Sequence, residues 1–232
     1  MFLAGGFRAQ LDDILQYAVT LMPALLRGAV VTVELFALTL LLSLPLGLPF
    51  ALGSNSRFPP LRWFCRTYIW LFRGTPLILQ LYFFYFFLPI AFDVRLPEFP
   101  TAIITFVLNY AAYFAEIYRG GIESIDRGQH EAARSLGLSA SRTMVGIILP
   151  QTFKRVLPPV SNEAITLIKD TALVSVIGVA ELLKAARGAV NRDVNVLAYG
   201  MAAGIYLAFT FVMTLLSRRL ESRFSQHEAR GE

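Results

Sequence analysis

Apolar residues recur along this chain in two patterns. Leu11, Ile14, Leu15, Ala18, Met22, Leu25 and Leu26 fall at helical spacing, with Asp12, Asp13 and Gln16 on the remaining positions. That arrangement predicts an amphipathic helix lying in a membrane interface. From Gly28 to Leu52 the run is apolar except for Thr32, Glu34, Thr39 and Ser43, long enough to cross a hydrocarbon core of ~30 Å. Four further apolar stretches follow at about 61–90, 100–118, 157–183 and 196–216. Of the five runs the second, 61–90, is interrupted by Arg73-Gly74-Thr75-Pro76, where Pro76 removes a helical hydrogen bond and Gly74 loosens the backbone. The fourth holds Glu163, Lys169 and Asp170 and is the most polar. The expected fold is an all-α membrane protein with five transmembrane helices, preceded by the amphipathic N-terminal helix. Its parts are an N-terminal segment at 1–27, a membrane domain at 28–218 with a polar loop at about 119–146, and a polar tail at 219–232. The first residues lack the basic region and cleavage site of a signal peptide.

Composition agrees. The chain is 56% hydrophobic and 16% charged, against roughly 25% charged in soluble domains. A net charge of +5 could suggest nucleic acid, but the basic residues cluster at the ends of apolar runs, where membrane topology puts them. No nucleic-acid partner is expected. The excess of Lys and Arg on one set of loops places the 119–146 loop and the C-terminus in the cytoplasm and the N-terminus outside. Cys65 is the single cysteine and reads as a packed thiol. His130 and His227 lie in polar stretches without metal-ligand spacing, so no metal site is expected.

The polar loop contains Glu131-Ala132-Ala133-Arg134-Ser135-Leu136-Gly137, a short run of helix formers stopped by a glycine. Its small residues offer a knob that can enter a groove on a partner. Glu131-Ala132-Ala133, three residues, Gly137, nine residues and Ile147-Ile148-Leu149-Pro150 resemble the loop signature of permease subunits of ABC (ATP-binding cassette) importers. Arg73-Gly74-Thr75-Pro76-Leu77, the run from Leu108 to Ile122, Leu157-Pro158-Pro159 and the run from Lys169 to Gly178 are similar to the polar amino acid branch of that family. The resemblance runs from about Gly28 to Arg218. It implies the type I ABC importer permease fold, with a coupling helix at about Gln129–Ser139. Glu131, Ala132, Ala133 and Gly137 would then serve the ATPase contact, Glu131 either touching the partner or capping the helix. The implied partners are two copies of a cytosolic ATPase, a second permease as a homodimer or a related heterodimer, an extracytoplasmic binding protein and membrane lipid. The implied location is a bacterial inner membrane. The chain has no GxxxxGK[ST] phosphate loop, so no cofactor is expected on it, ATP belonging to the ATPase subunit. It reads as a non-catalytic transport component.

Ionisable groups at membrane depth face cavities or partners. Asn109, Ala112, Tyr113 and Glu116 share one helical face, and Glu163, Thr166 and Asp170 share another. The resemblance implies a midmembrane amino acid site lined by Gln80, Asn109, Ala112, Glu163 and Thr166. The break at Gly74–Leu77 would offer amides to a carboxylate. Glu163 suits an ammonium or the cationic end of arginine, lysine or histidine, with glutamine also within the class; its other reading is a structural hydrogen bond. Lys169 and Asp170 read as an ion pair or cap, Glu116 and Arg119 as a local salt bridge, Arg73 as a snorkelling or capping residue, and the aromatic run 82–87 as lipid-facing. Two other function classes compete. An ion-coupled secondary amino-acid carrier often has inverted repeats, and no repeat is visible here. An intramembrane enzyme needs a nucleophile–base pair or a metal cluster, and no His falls within the spans.

Overall fold

A computed structural model describes residues 2–225 of the chain. It is 88% helical, and no strand occurs among the described residues. The first helix, α1, runs unbroken over Phe2–Ser54. The predicted interfacial helix and first span are therefore one helix, without the boundary expected near residue 27. At 1.5 Å per residue its 53 residues measure ~80 Å, far more than the hydrocarbon core, so much of it lies beyond that core. Leu11 and everything before it, and the tail from Ser225 onward, fall outside the residues whose side chains are described, His227 and Arg230 among them.

Helix α2 (Pro59–Gly74) starts with prolines in its first turn, where the missing N–H has no helical partner to lose. It stops at Thr75, whose φ of −119° and ψ of 142° are extended. The next residue is Pro76, which disfavours helix at the position before it. Helix α3 (Leu77–Tyr82), a π-helical turn at Phe83–Phe87 and α4 (Leu88–Phe92) then continue at 105° to α2. The predicted second span is thus sharply bent at the expected place. Tyr82, Phe83, Phe86 and Phe87 in that run are exposed, as a lipid-facing stretch requires.

Helix α5 (Glu98–Glu123) runs on past the predicted end of the third span at 118. It makes its most extensive contacts with α1. Gly47 of α1 permits this approach: a Cβ there would stand 3.0 Å from the Ala111 carbonyl oxygen. The core stacks Phe106, Tyr110 and Phe114 of α5 with Leu35, Leu81, Leu167 and Val174. Cys65 is buried against Gly53, a packing role as expected.

After α5 come α6 (Arg127–Ser135), α7 (Ala140–Thr143), a π-helical turn at Met144–Ile148 and α8 (Leu149–Asp170). The chain then tightens into a 3-10 turn at Thr171–Ile177 before α9 (Leu182–Asp193) and α10 (Leu197–Ser225). Among the described residues three helices are long and apolar enough to span a membrane, α1 from Asp12, α5 and α10, with the bent α2–α4 pair a fourth. The fourth predicted span, 157–183, does not form as one helix. Its helical part is α8, which carries Lys154, Arg155, Glu163, Lys169 and Asp170 and buries one face against α5 and α10. The polar tail expected from 219 is helical as far as Ser225.

Glu181 fixes the last part of the bundle. It is wholly buried and caps α9, accepting hydrogen bonds from the Leu183 and Lys184 amides at 2.7 Å each and from the Tyr206 hydroxyl of α10 at 2.7 Å. The Leu182 amide donates to Thr32 of α1 at 3.3 Å. Gly28, one turn away, leaves room for this joint, since a Cβ there would stand 2.9 Å from the Glu181 carbonyl oxygen. Three donors therefore depend on one carboxylate. Replacing Glu181 by Ala should destabilise the protein by about 2 kcal/mol or more. A clearly lowered melting temperature in detergent is expected, with a smaller loss for Glu181→Gln, which keeps one acceptor oxygen.

Candidate translocation site

The bend between α2 and α3 exposes carbonyls that a continuous helix would have satisfied. The Thr75 hydroxyl donates to the Leu71 carbonyl at 2.8 Å. Gln80, one turn into the next helical segment, turns its amide back: Nε2 reaches the Phe72 carbonyl at 2.8 Å, the Thr75 carbonyl at 3.1 Å and the Thr75 hydroxyl at 2.8 Å. Asn109 of α5 donates to the Phe72 carbonyl at 3.1 Å and to Gln80 Oε1 at 3.0 Å. Both amides are more than nine-tenths buried. They hold a broken helix shut in a setting where lipid offers no hydrogen bonds.

Beside this joint lies a cleft of ≈ 500 Å³. Arg73, Gly74, Thr75, Pro76 and Leu77 form its wall at the break, Asn109, Tyr110 and Tyr113 come from α5, and Glu163, Thr166 and Asp170 come from α8. The two polar stripes read from helical spacing do face each other across it. Three of the five predicted lining residues, Asn109, Glu163 and Thr166, reach the cleft. Gln80 and Ala112 do not line it: Gln80 is turned to the α2 carbonyls, and Ala112 is fully buried in packing.

Charges of both signs meet in the cleft. Arg73 sits 3.6 Å from Glu116 and lies over the Tyr113 ring at 5.5 Å. It is a cleft residue, not a lipid-snorkelling one. Asp170 accepts a hydrogen bond from Tyr110 at 2.8 Å. Of the two roles expected for it, ion pair or cap, it makes no ion pair with Lys169 among the described residues, and its side chain makes no capping bond to the 3-10 turn that follows. Glu163 is half-buried, has Asp170 and Arg73 as charged neighbours, and accepts no hydrogen bond among the described residues. Arg73, Tyr110 and Asp170 also line the cleft, outside the five residues expected there. Arg73 stands beside the break and Asp170 on the stripe of Glu163, both visible in the sequence, whereas Tyr110 shares neither signal.

From the cleft an ionic ladder descends α5. Glu116 pairs with Arg119 at 2.6 Å, as expected, and Arg119 with Glu123 at 2.6 Å. Next comes the loop, where Arg155 of α8 donates to the Ser124 carbonyl. The Asp126 side chain caps α6 by accepting from the Gly128 amide at 2.6 Å. Helix α6 is thus shifted toward the N-terminus of its predicted range of 129–139. It ends on Gly137, whose φ of +73° is left-handed. The Leu138 amide reaches the Ala133 carbonyl at 3.0 Å and the Gly137 amide the Arg134 carbonyl at 2.9 Å, a Schellman closure that favours glycine. Glu131 is exposed and is not the cap. Ala132 is exposed, but Ala133 is only 1% exposed and packs inward, so it is not part of a free knob. Leu136 is 78% exposed and supplies the apolar tip in its place.

Residues 43–226 match the family described as binding-protein-dependent transport system inner membrane component. The chain belongs to this family. It is a membrane-spanning permease subunit of the ABC type, a non-catalytic component. The permease is 40% identical to the L-cystine transport system permease protein TcyB of Bacillus subtilis over 90% of this chain and 89% of that one. It is 36% identical to the arginine transport system permease protein ArtQ of the same organism, over 89% and 94%. With the Escherichia coli glutamine transport system permease protein GlnP it shares 43% identity over 68% and 73%. Among solved structures it is similar to an amino acid ABC transporter crystallised with histidines, with a TM-score of 0.85, 35% identity, and coverage of 90% of this chain and 97% of that one.

The geometry separates a joint residue from a cleft residue. In Gln80→Leu the Thr75 carbonyl loses its side-chain donor, at about 1–3 kcal/mol. This should lower the yield and melting temperature of the purified permease. Thr166→Val should leave both unchanged, because its hydroxyl bonds only the Asn162 carbonyl of its own helix.

Proposed function

We propose that this permease passes polar or cationic amino acids, of the arginine, lysine, histidine or glutamine type, through the cleft beside the α2–α3 break. The observation that carries the reading is Glu163: a half-buried carboxylate facing a polar cleft with no hydrogen-bond donor of its own, and with a guanidinium among its neighbours. A buried charge left in that state is costly, and a substrate ammonium or cationic side chain would relieve it. Arg73 and the main chain at Gly74–Leu77 suit the substrate carboxylate at the other pole. The cystine, arginine and glutamine transport named for relatives, and the histidines named for the solved structure, support amino acids as the class.

In this reading an extracytoplasmic binding protein delivers the substrate, and two cytosolic ATPase subunits dock on α6 of this permease and of a second copy or related permease. The loop charges support a cytoplasmic C-terminus and an external N-terminus in a bacterial inner membrane. Exposed Ala132 and Leu136 suit a cleft on the ATPase, with Glu131 at its rim. The Gly137 closure holds the helix at a fixed angle, and Ala133 braces it on its own chain.

Reconstitution in liposomes with the ATPase and binding protein tests the substrate class. Glu163→Gln should reduce arginine or lysine uptake about tenfold or more, the scale of a lost charged contact, and glutamine uptake much less. Equal losses for both would remove the assigned role of Glu163. For coupling, Ala132→Glu or Leu136→Glu should abolish substrate-stimulated ATP hydrolysis and weaken co-purification of the ATPase while leaving the melting temperature of the permease unchanged. Unaltered stimulation would place docking elsewhere.

A further inference from the structure

A second cavity of ≈ 500 Å³ opens between α8 and α10, at the end of the bundle that carries α6. Lys154, Arg155 and Arg218 bring three cations to it, and Glu221 brings one carboxylate. The Arg155 guanidinium is held by the Ser124 carbonyl. Lys154 and Arg218 make no ion pair or hydrogen bond among the described residues. At its mouth Phe153 and Phe224 meet edge to face, with ring centroids 5.2 Å apart.

Leu157 lines both this cavity and a groove of ≈ 650 Å³ that runs on between α1, α8 and α10. The groove walls are apolar, with Leu40, Leu44, Val160, Met213 and Leu220 prominent among them. The two spaces together form a basic pocket with an apolar extension toward the bilayer. Whatever fills both must be anionic at one end and hydrophobic at the other. Inorganic phosphate could use the pocket but would leave the groove unfilled. A second permease could cover the groove, but it would have to bring an acidic group of its own to Lys154 and Arg218.

We propose that this is a binding site for one anionic phospholipid. The phosphate is held among Lys154, Arg155 and Arg218, an acyl chain lies in the groove, and a headgroup hydroxyl donates to Glu221. Basic pockets between helix ends at the membrane surface suit such headgroups. The site adds a lipid requirement to the transport reading. Only its assignment to the cytoplasmic leaflet depends on that reading, through the orientation.

The test uses the complete purified transporter, offered equal amounts of phosphatidylglycerol, phosphatidylethanolamine and phosphatidylcholine and read by native mass spectrometry. The wild-type complex should retain phosphatidylglycerol over phosphatidylcholine by about fivefold or more, the scale of one basic residue near a lipid headgroup. Lys154→Gln with Arg218→Gln should lose that preference. Arg57→Gln with Arg219→Gln removes two charges at the same end outside the pocket and should keep it. Equal loss in both pairs would reduce the effect to diffuse surface charge and overturn the site. Preferential retention of phosphatidylethanolamine, or displacement of the lipid by inorganic phosphate alone, would also overturn it. So would disulfide cross-linking of Leu220→Cys to the second permease in native membranes, which would give the groove to a protein interface. If the double variant does not assemble, Lys154→Gln alone should weaken the preference, and an undiminished preference would overturn the site. Lipid retention does not depend on transport, so loss of the site and failure of the transport reading are separately visible.

Discussion

A helix that stops inside a bilayer leaves its last carbonyls without N–H donors, and lipid supplies none. In this permease the helix break at Thr75–Pro76 depends on two side-chain amides that answer those carbonyls, Gln80 from the following segment and Asn109 from α5. The pair also bond each other, so the break, the re-entering segment and the central helix are joined at one point. The cleft exists because this joint is closed. Without it α2 and α3 would have to straighten or bring water into the membrane.

Helix α5 links the cleft to the loop. One face packs Phe106, Tyr110 and Phe114 into the core. Another presents Asn109 to the break and Tyr113 to the cleft. Lower down, Glu116, Arg119 and Glu123 form the ionic ladder that leads to the α6 cap. The ladder joins Arg73 at the cleft to Glu123 in the last turn of α5, three residues before the Asp126 cap of α6. The connection is physical adjacency; coupling along it is what substitutions at Glu116 would measure.

Much of this is legible in the chain. Pro76 after Gly74 in an apolar run marks the break, and the 3- and 4-residue spacing of Asn109, Tyr113, Glu163 and Asp170 marks two faces that do meet. The expected Glu116–Arg119 pair also forms. Sequence does not show which way a buried amide turns. Gln80 at membrane depth reads equally well as a pore lining or as a brace for its own backbone, and only the position of the Phe72 carbonyl decides. Ala132 and Ala133 are alike in sequence, yet the helical turn sends one outward and the other into the chain. Glu181 owes its burial to Thr32 and Tyr206, whose proximity no local pattern encodes. The polar content of α8 is visible in the chain, but the 3-10 turn that ends it at Asp170 is not.

The setting of Arg73 has a consequence for throughput. Its guanidinium already has Glu116 at 3.6 Å and the Tyr113 ring beneath it, so it is not an empty anion trap. In the transport reading proposed above, a substrate carboxylate arriving there would gain only the difference between its own attraction and the interactions it loosens. That difference would keep the well shallow. A permease must release its cargo in every cycle, and a cation that is shared before the cargo arrives would make release easier than capture by a bare charge would allow.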